Sequence, residues 1–115
     1  MRRHNNGHRS ALEKIAHHPD KFGFFHPISV SIETTLYHKG RIIAQPDVVI
    51  ETECEVHIIE YKEMGNGELL ERAHKQLEQA KWWYGRHRQD IYPENIHTHI
   101  ISRDDERYRD LLRGK

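Results

Sequence analysis

Residues 46–62 read PDVVIETECEVHIIEYK, and this stretch decides the architecture. Val48, Val49 and Ile50 form one apolar run and Val56, Ile58 and Ile59 another, with a short polar break between them at residues 51–55. Runs this short, bounded by polar residues and rich in β-branched side chains, predict two strands, and a break this short predicts that they pair antiparallel. Alternate side chains on a strand share a face, so Glu60 and Lys62 project together while Tyr61 points the other way. Pairing through the short connection brings Asp47, thirteen residues before Glu60, alongside it. Pro46 lacks a ladder donor, which predicts an edge, bend or bulge where Asp47 enters its strand.

Working outward, Ile28, Val30, Ile32, Thr34 and Leu36 alternate with polar neighbours and predict a first strand ending near Tyr37. Lys39-Gly40 predicts a turn, and the second strand runs from Arg41 to Glu51. The third covers residues 55–62, so the three make an antiparallel meander. Before them, Ser10 and Glu13 have the spacing of a capping box, which predicts a helix starting at Ser10 and stopping short of Pro19. Residues 1–9 read as a flexible basic arm, and residues 19–27 as a loop carrying Phe22, Phe24 and Phe25. After Gly65-Asn66-Gly67 the period changes to that of a helix over residues 68–86. Its apolar stripe is Leu70, Ala73, Leu77, Ala80 and Tyr84. A turn at residues 92–95, a fourth strand at 96–102 and a charged helical tail at 104–112 complete an α-β-β-β-α-β order.

The chain has 115 residues with 18 Lys+Arg against 18 Asp+Glu, so one neutral domain is expected. The zero sum hides basic ends and an acid-rich middle, and binding to a polyanion responds to the local patch. A single cysteine, Cys54, rules out an intrachain disulfide and a Cys-based zinc site. No apolar run approaches the roughly 20 residues that span a bilayer, and the first residues lack the apolar stretch of a signal peptide. A cytoplasmic protein without membrane association is the expectation.

Asp47, Glu60 and Lys62 carry the chemistry. Two carboxylates side by side repel unless a proton or a divalent cation lies between them. An all-oxygen site with few protein ligands suits Mg²⁺, which polarises phosphoryl oxygens and acidifies bound water. Lys62 would orient the attacking water or neutralise the charge that builds on phosphorus. These are the elements of phosphodiester hydrolysis. The competing reading is a surface ion-pair cluster on an exposed sheet face.

Pro46-Asp47 followed by Glu60-Tyr61-Lys62, on strands in an α-β-β-β-α-β order, resembles the PD-(D/E)XK nuclease superfamily. The following helix, HKQLEQAKWWY from His74 to Tyr84, is similar to the Gln-plus-aromatic helix of its RecB-like and Holliday-resolvase-like branches. The resemblance spans residues 10–102. It implies a minimal α/β restriction-endonuclease-like domain, with a mixed central sheet flanked by helices, over residues 1–115. It also implies a Mg²⁺-dependent nuclease, with Mn²⁺ as a substitute, acting on DNA or RNA, with DNA the preferred reading. Asp47, Glu60 and the Tyr61 backbone carbonyl would be metal ligands, Lys62 the catalytic lysine, and Gln76, or Gln79, a neighbour of the site. A further acid would be Glu13, by its helix, or Glu33, by its nearness to Asp47. Arg9, Arg72, His74 and Lys75 are the expected nucleic-acid contacts, and cutting both strands of a duplex would require a homodimer. The alternative is a non-catalytic nucleic-acid-binding or assembly module on the same fold.

Other features have plainer readings. His97 and His99 share a strand face at a spacing that can hold a transition metal, although no third ligand lies near in sequence. His8 and His17-His18 read as solvated. Trp82, Trp83 and Tyr84 read as core or interface, with one of the three left partly exposed.

Overall fold

Residues 6–63 and 67–114 are described by a computed structural model. The helix α1 (Asn6–His17) leads, after a 3-10 turn at Pro19–Phe22, to β1 (Ser29–Ile32), β2 (Leu36–His38), β3 (Arg41–Ala44), β4 (Val48–Glu51) and β5 (Val56–Lys62). Then come α2 (Gly67–His87), β6 (Ile96–Ser102) and α3 (Glu106–Leu112). Four strands form a mixed sheet in the order β1-β4-β5-β6, and β2 and β3 form a separate hairpin. β4 runs antiparallel to both β1 and β5, with Val48 opposite Ile32 and Ile59. β6 lies parallel to β5, with His57 opposite His97. The 33 residues between the two parallel strands, which include α2, make the long crossover that parallel pairing needs.

The two faces of this sheet are buried by different helices. Val48, Ile50, Ile59, Tyr61 and Ile101 pack against Leu12 and Ile15 of α1, with Phe22, Phe24 and Tyr108 closing the layer. Val49, Val56, Ile58 and Ile96 pack against Leu77, Ala80 and Tyr84 of α2, with Leu36 and Ala44 of the hairpin beside them. Leu12, Ile15, Ile58 and Ile59 are wholly buried, and each such side chain contributes about 1.5–3 kcal/mol over its exposed state. Burial on both sides explains why residues 56–61 are apolar with little alternation. His57 and Glu60 are the exceptions, and Glu60 stands at the β5 end where the site lies.

Several expectations change. The first two strands of the meander are each divided and a hairpin is inserted between β1 and β4, while β5 lies within one residue of its expected extent. Glu33 takes a φ of 53°, which turns the chain out of β1 and divides the expected first strand. Gln45 and Pro46, between β3 and β4, divide the second. Lys39 and Gly40, both at positive φ, close the hairpin with the geometry of a type I′ turn. Gln45 Nε2 donates to the Glu33 carbonyl at 3.1 Å and to Thr35 Oγ1 at 3.1 Å, so the base of the excursion is tied shut.

Helix α1 already includes Asn6–Arg9, so those residues are not a flexible arm; residues 1–5 lie outside the described ones, as do Gly65 and Asn66. The capping box at Ser10 does not form, because Ser10 sits within the helix and its hydroxyl accepts from Lys14 Nζ at 2.7 Å. Leu70 is exposed, so the apolar stripe of α2 begins at Ala73. The helix also passes through Gly85 to His87. Among the described residues no helix is long and apolar enough to cross a membrane.

Candidate active site

Asp47 and Glu60 interlock. The register that pairs Val48 with Ile59 continues one step to set Asp47 opposite Glu60. The Asp47 N–H donates to Glu60 Oε2 at 2.9 Å, and the Tyr61 N–H donates to Asp47 Oδ2 at 2.7 Å. Each carboxylate thus caps a backbone donor of the other strand, just where Pro46 interrupts the ladder. The Asp47 carbonyl in turn accepts from the Glu33 N–H at 2.9 Å, which fixes the residue from its other side. Glu60 is only 5% exposed.

Burial, and then the charge of Asp47, push the Glu60 carboxyl up to about 8, against the Asp47 N–H bond and the Lys62 charge. Burial also raises Asp47, although the Tyr61 N–H, His8 and Lys62 all act to lower it. Near neutrality the pair therefore keeps a proton on Glu60, the arrangement expected of two adjacent acids with little solvent. Lys62, two residues on and on the same strand face, is half-buried, and its charge is felt by both acids.

Helix α2 reaches the same place through Gln76, whose Oε1 accepts from the Gln45 N–H at 3.2 Å. Gln76 therefore holds the backbone two residues before Asp47; Gln79 is exposed. His8 was missed by sequence reasoning. From the first turns of α1 its Nε2 comes within 3.4 Å of Asp47 Oδ1, and its ring lies 5.9 Å from that of Tyr61. The only signal was its place one turn before Ala11 and Leu12 on the face that α1 buries.

The remaining candidates fall elsewhere. The Glu33 carboxylate turns to Arg9, 2.7 Å from its Nη1, and Glu13 also faces Arg9 at 3.7 Å. Neither acid joins Asp47 and Glu60, and Arg9 is held by acids of its own chain. Arg72, His74 and Lys75 are exposed on α2. Tyr61 enters the cluster through its backbone N–H, while its ring packs 5.2 Å from Tyr108.

A second polar cluster occupies the α1 face at the opposite end of β5 and β6. His57 of β5 lies between His97 and His99, and Glu55 bonds His57 Nε2 at 3.3 Å and His97 Nε2 at 3.1 Å. A carboxylate only accepts, so both Nε2 atoms carry hydrogen. With His57 neutral, its Nδ1 must then accept, and it does so from His99 Nε2 at 3.0 Å. Burial pushes His99 down to about 4, with the charges of His57, His97 and Arg107 adding to it. The His97–His99 pair, read from sequence as outer-strand surface with a spacing that can hold a metal, gains two further potential ligands here, yet the geometry opposes coordination. His57 and His97 stack at 5.1 Å with 17° between their planes, so their in-plane lone pairs cannot meet. Among the described residues no group of three or more His, Cys, Asp or Glu side chains can hold a metal ion. Asp47 and Glu60 offer oxygen donors only, the type that hard cations prefer. Comparison of this chain with protein-family models, curated proteins and solved structures returns no match.

Proposed function

We propose that this chain is a small metal-dependent nuclease of the restriction-endonuclease-like kind, acting on nucleic acid, DNA rather than RNA, as a homodimer. The observation that carries this reading is the interlocked Asp47–Glu60 pair at the end of two central strands, with Lys62 on the same face. Burying two acids together is costly unless something compensates them, and such clusters concentrate at functional sites.

The donor set suits Mg²⁺. Asp47, Glu60 and the Tyr61 carbonyl would hold it, and His8 stands against the outer oxygen of Asp47. Bound there, the ion supplies Lewis acidity toward a phosphoryl oxygen and toward water. Lys62 orients the attacking water beside the scissile phosphate and offsets the negative charge that develops on its oxygens. Water adds to phosphorus, the bond to the leaving oxygen breaks, and that oxygen takes up a proton. Gln76, by fixing Gln45, keeps Asp47 in register with Glu60. Arg72 and Lys75 present positive charge along α2 for the phosphate backbone, with His74 between them as a further hydrogen-bonding group.

The test is a panel of labelled duplex, single-stranded, flap and four-way substrates in Mg²⁺ and Mn²⁺. Asp47→Asn and Lys62→Ala should abolish cleavage and leave the circular dichroism spectrum unchanged. Asparagine is the better substitution, because Asp47→Ala would strand the buried Tyr61 N–H. Cleavage that survives both changes refutes the assignment. Nucleic-acid binding without any cleavage by the wild type would favour the non-catalytic module.

A further inference from the structure

The hairpin and the end of α2 build a second surface. Trp83 Nε1 donates to the Tyr37 carbonyl at 2.7 Å and so pins β2 against the helix. Around that pin, aromatic and cationic groups gather. The His38 ring meets the Trp82 ring edge-on at 5.0 Å and the His87 ring at 5.7 Å, and the Arg86 guanidinium sits 5.4 Å from the Trp82 centroid. Trp82 is 46% and Tyr37 56% exposed, large values for residues of their size. The hairpin segment YHKGR (37–41) and the helix segment QAKWWYGRHRQ (79–89) contain no acid. His38 is held below its ordinary pKa by desolvation and then by Arg86, Lys39 and His87, with no carboxylate among the causes.

We propose that this face binds a single nucleic-acid strand through its unpaired bases and phosphates, with Trp82 and the His38 ring beside it as the stacking surface and Lys39, Arg41 and Arg86 as phosphate contacts. Two features select this occupant. Exposed aromatics interleaved with cations match a strand whose bases are free to stack, whereas the bases of a duplex are already stacked on each other. A second copy of the chain is a poor match, since a two-fold contact would set cations against cations. The proposal rests on the reading of nucleic acid as the ligand and extends it. Gln76, which holds the Gln45 backbone near Asp47, is ten residues before Arg86 on α2, about 15 Å along the helix. A strand lying on this face would lead toward the acids.

The experiment uses the full chain in EDTA, so that nothing is cut. Labelled 15-mers of dT and of U and a 15-base-pair duplex are titrated, with affinity read by anisotropy and stacking by tryptophan fluorescence, since both tryptophans of the chain lie at this face. Both single strands should bind more tightly than the duplex and quench the fluorescence. Trp82→Ala should weaken single-strand binding about tenfold or more. Arg86→Ala should weaken it and lower the slope of log affinity against log salt by about one. Both side chains are exposed at the surface, and a circular dichroism spectrum checks that each variant is folded. Unchanged single-strand affinity in both variants overturns the proposal, as does preference for the duplex. Loss of cleavage in Asp47→Asn tests the nuclease reading separately, so either idea can fail alone.

Discussion

Replacing Glu60 with glutamine should stabilise the metal-free protein, and by an amount that depends on pH. The amide oxygen of the introduced glutamine can still accept from the Asp47 N–H, so the substitution removes a charge and little else. In the wild type, burial and the neighbouring Asp47 charge lift the Glu60 carboxyl from its ordinary 4.5 to about 8. A raised acid favours the protonated form in the fold. Wild-type stability from this group is therefore intact below pH 4.5 and falls as the pH climbs from 4.5 toward 8. The full shift corresponds to about 4 kcal/mol at pH 8, and relaxation around the carboxylate brings a measured gain nearer to about 2–3 kcal/mol. For a domain of this size that is on the order of 10 °C in the thermal midpoint. Urea unfolding of both proteins in EDTA at pH 5, 6.5 and 8 provides the assay. The two curves should nearly coincide at pH 5 and separate steadily toward pH 8. Equal stability at pH 8, or a difference independent of pH, would refute the picture of two acids forced together.

Other expectations follow from the same geometry. Millimolar Mg²⁺ should raise the melting temperature of the wild type at pH 8 and leave Asp47→Asn unmoved, by linkage of binding to folding; a thermal-shift titration checks this. The neutral histidine chain should fail in acid. His99 sits below the usual 6.5 at about 4, so its contribution is present above pH 6.5 and is lost as the pH falls toward 4. After allowance for solvent screening the loss is about 1–2 kcal/mol, measurable by urea unfolding in the Glu60→Gln background and removed by His99→Gln. Trp83→Phe should cost about 1 kcal/mol by removing the donor to the Tyr37 carbonyl. Hydrogen exchange should then speed up at the β2–β3 hairpin while β5 stays protected.

What the sequence made legible, and what it hid, follows from the range of the interactions involved. β5 was readable because the β-branched Val56, Ile58 and Ile59 run into Glu60-Tyr61-Lys62, and its pairing with β4 follows from a turn too short for any other connection. The carboxylate pair was readable for the same reason. Leu70 misled because an apolar residue at the right period need not reach the core if the helix begins beyond the sheet. Ser10 and Glu13 misled because a capping box is a four-residue pattern that also occurs inside helices. Glu33 offered no local signal for its positive φ; its carbonyl is held by Gln45 and its N–H by the Asp47 carbonyl, both distant in sequence. His8 and His57 became neighbours of Asp47 and His99 through contacts 39 and 42 residues apart in sequence, which no local pattern encodes.

The most direct test of the Asp47–Glu60–Lys62 assignment is anomalous diffraction from crystals soaked in Mn²⁺ at pH 8. The expected result is a peak between the two carboxylates, about 2.2 Å from an oxygen of each, and its disappearance in Asp47→Asn. Manganese bound elsewhere on the protein, with no peak between the two carboxylates, would contradict it.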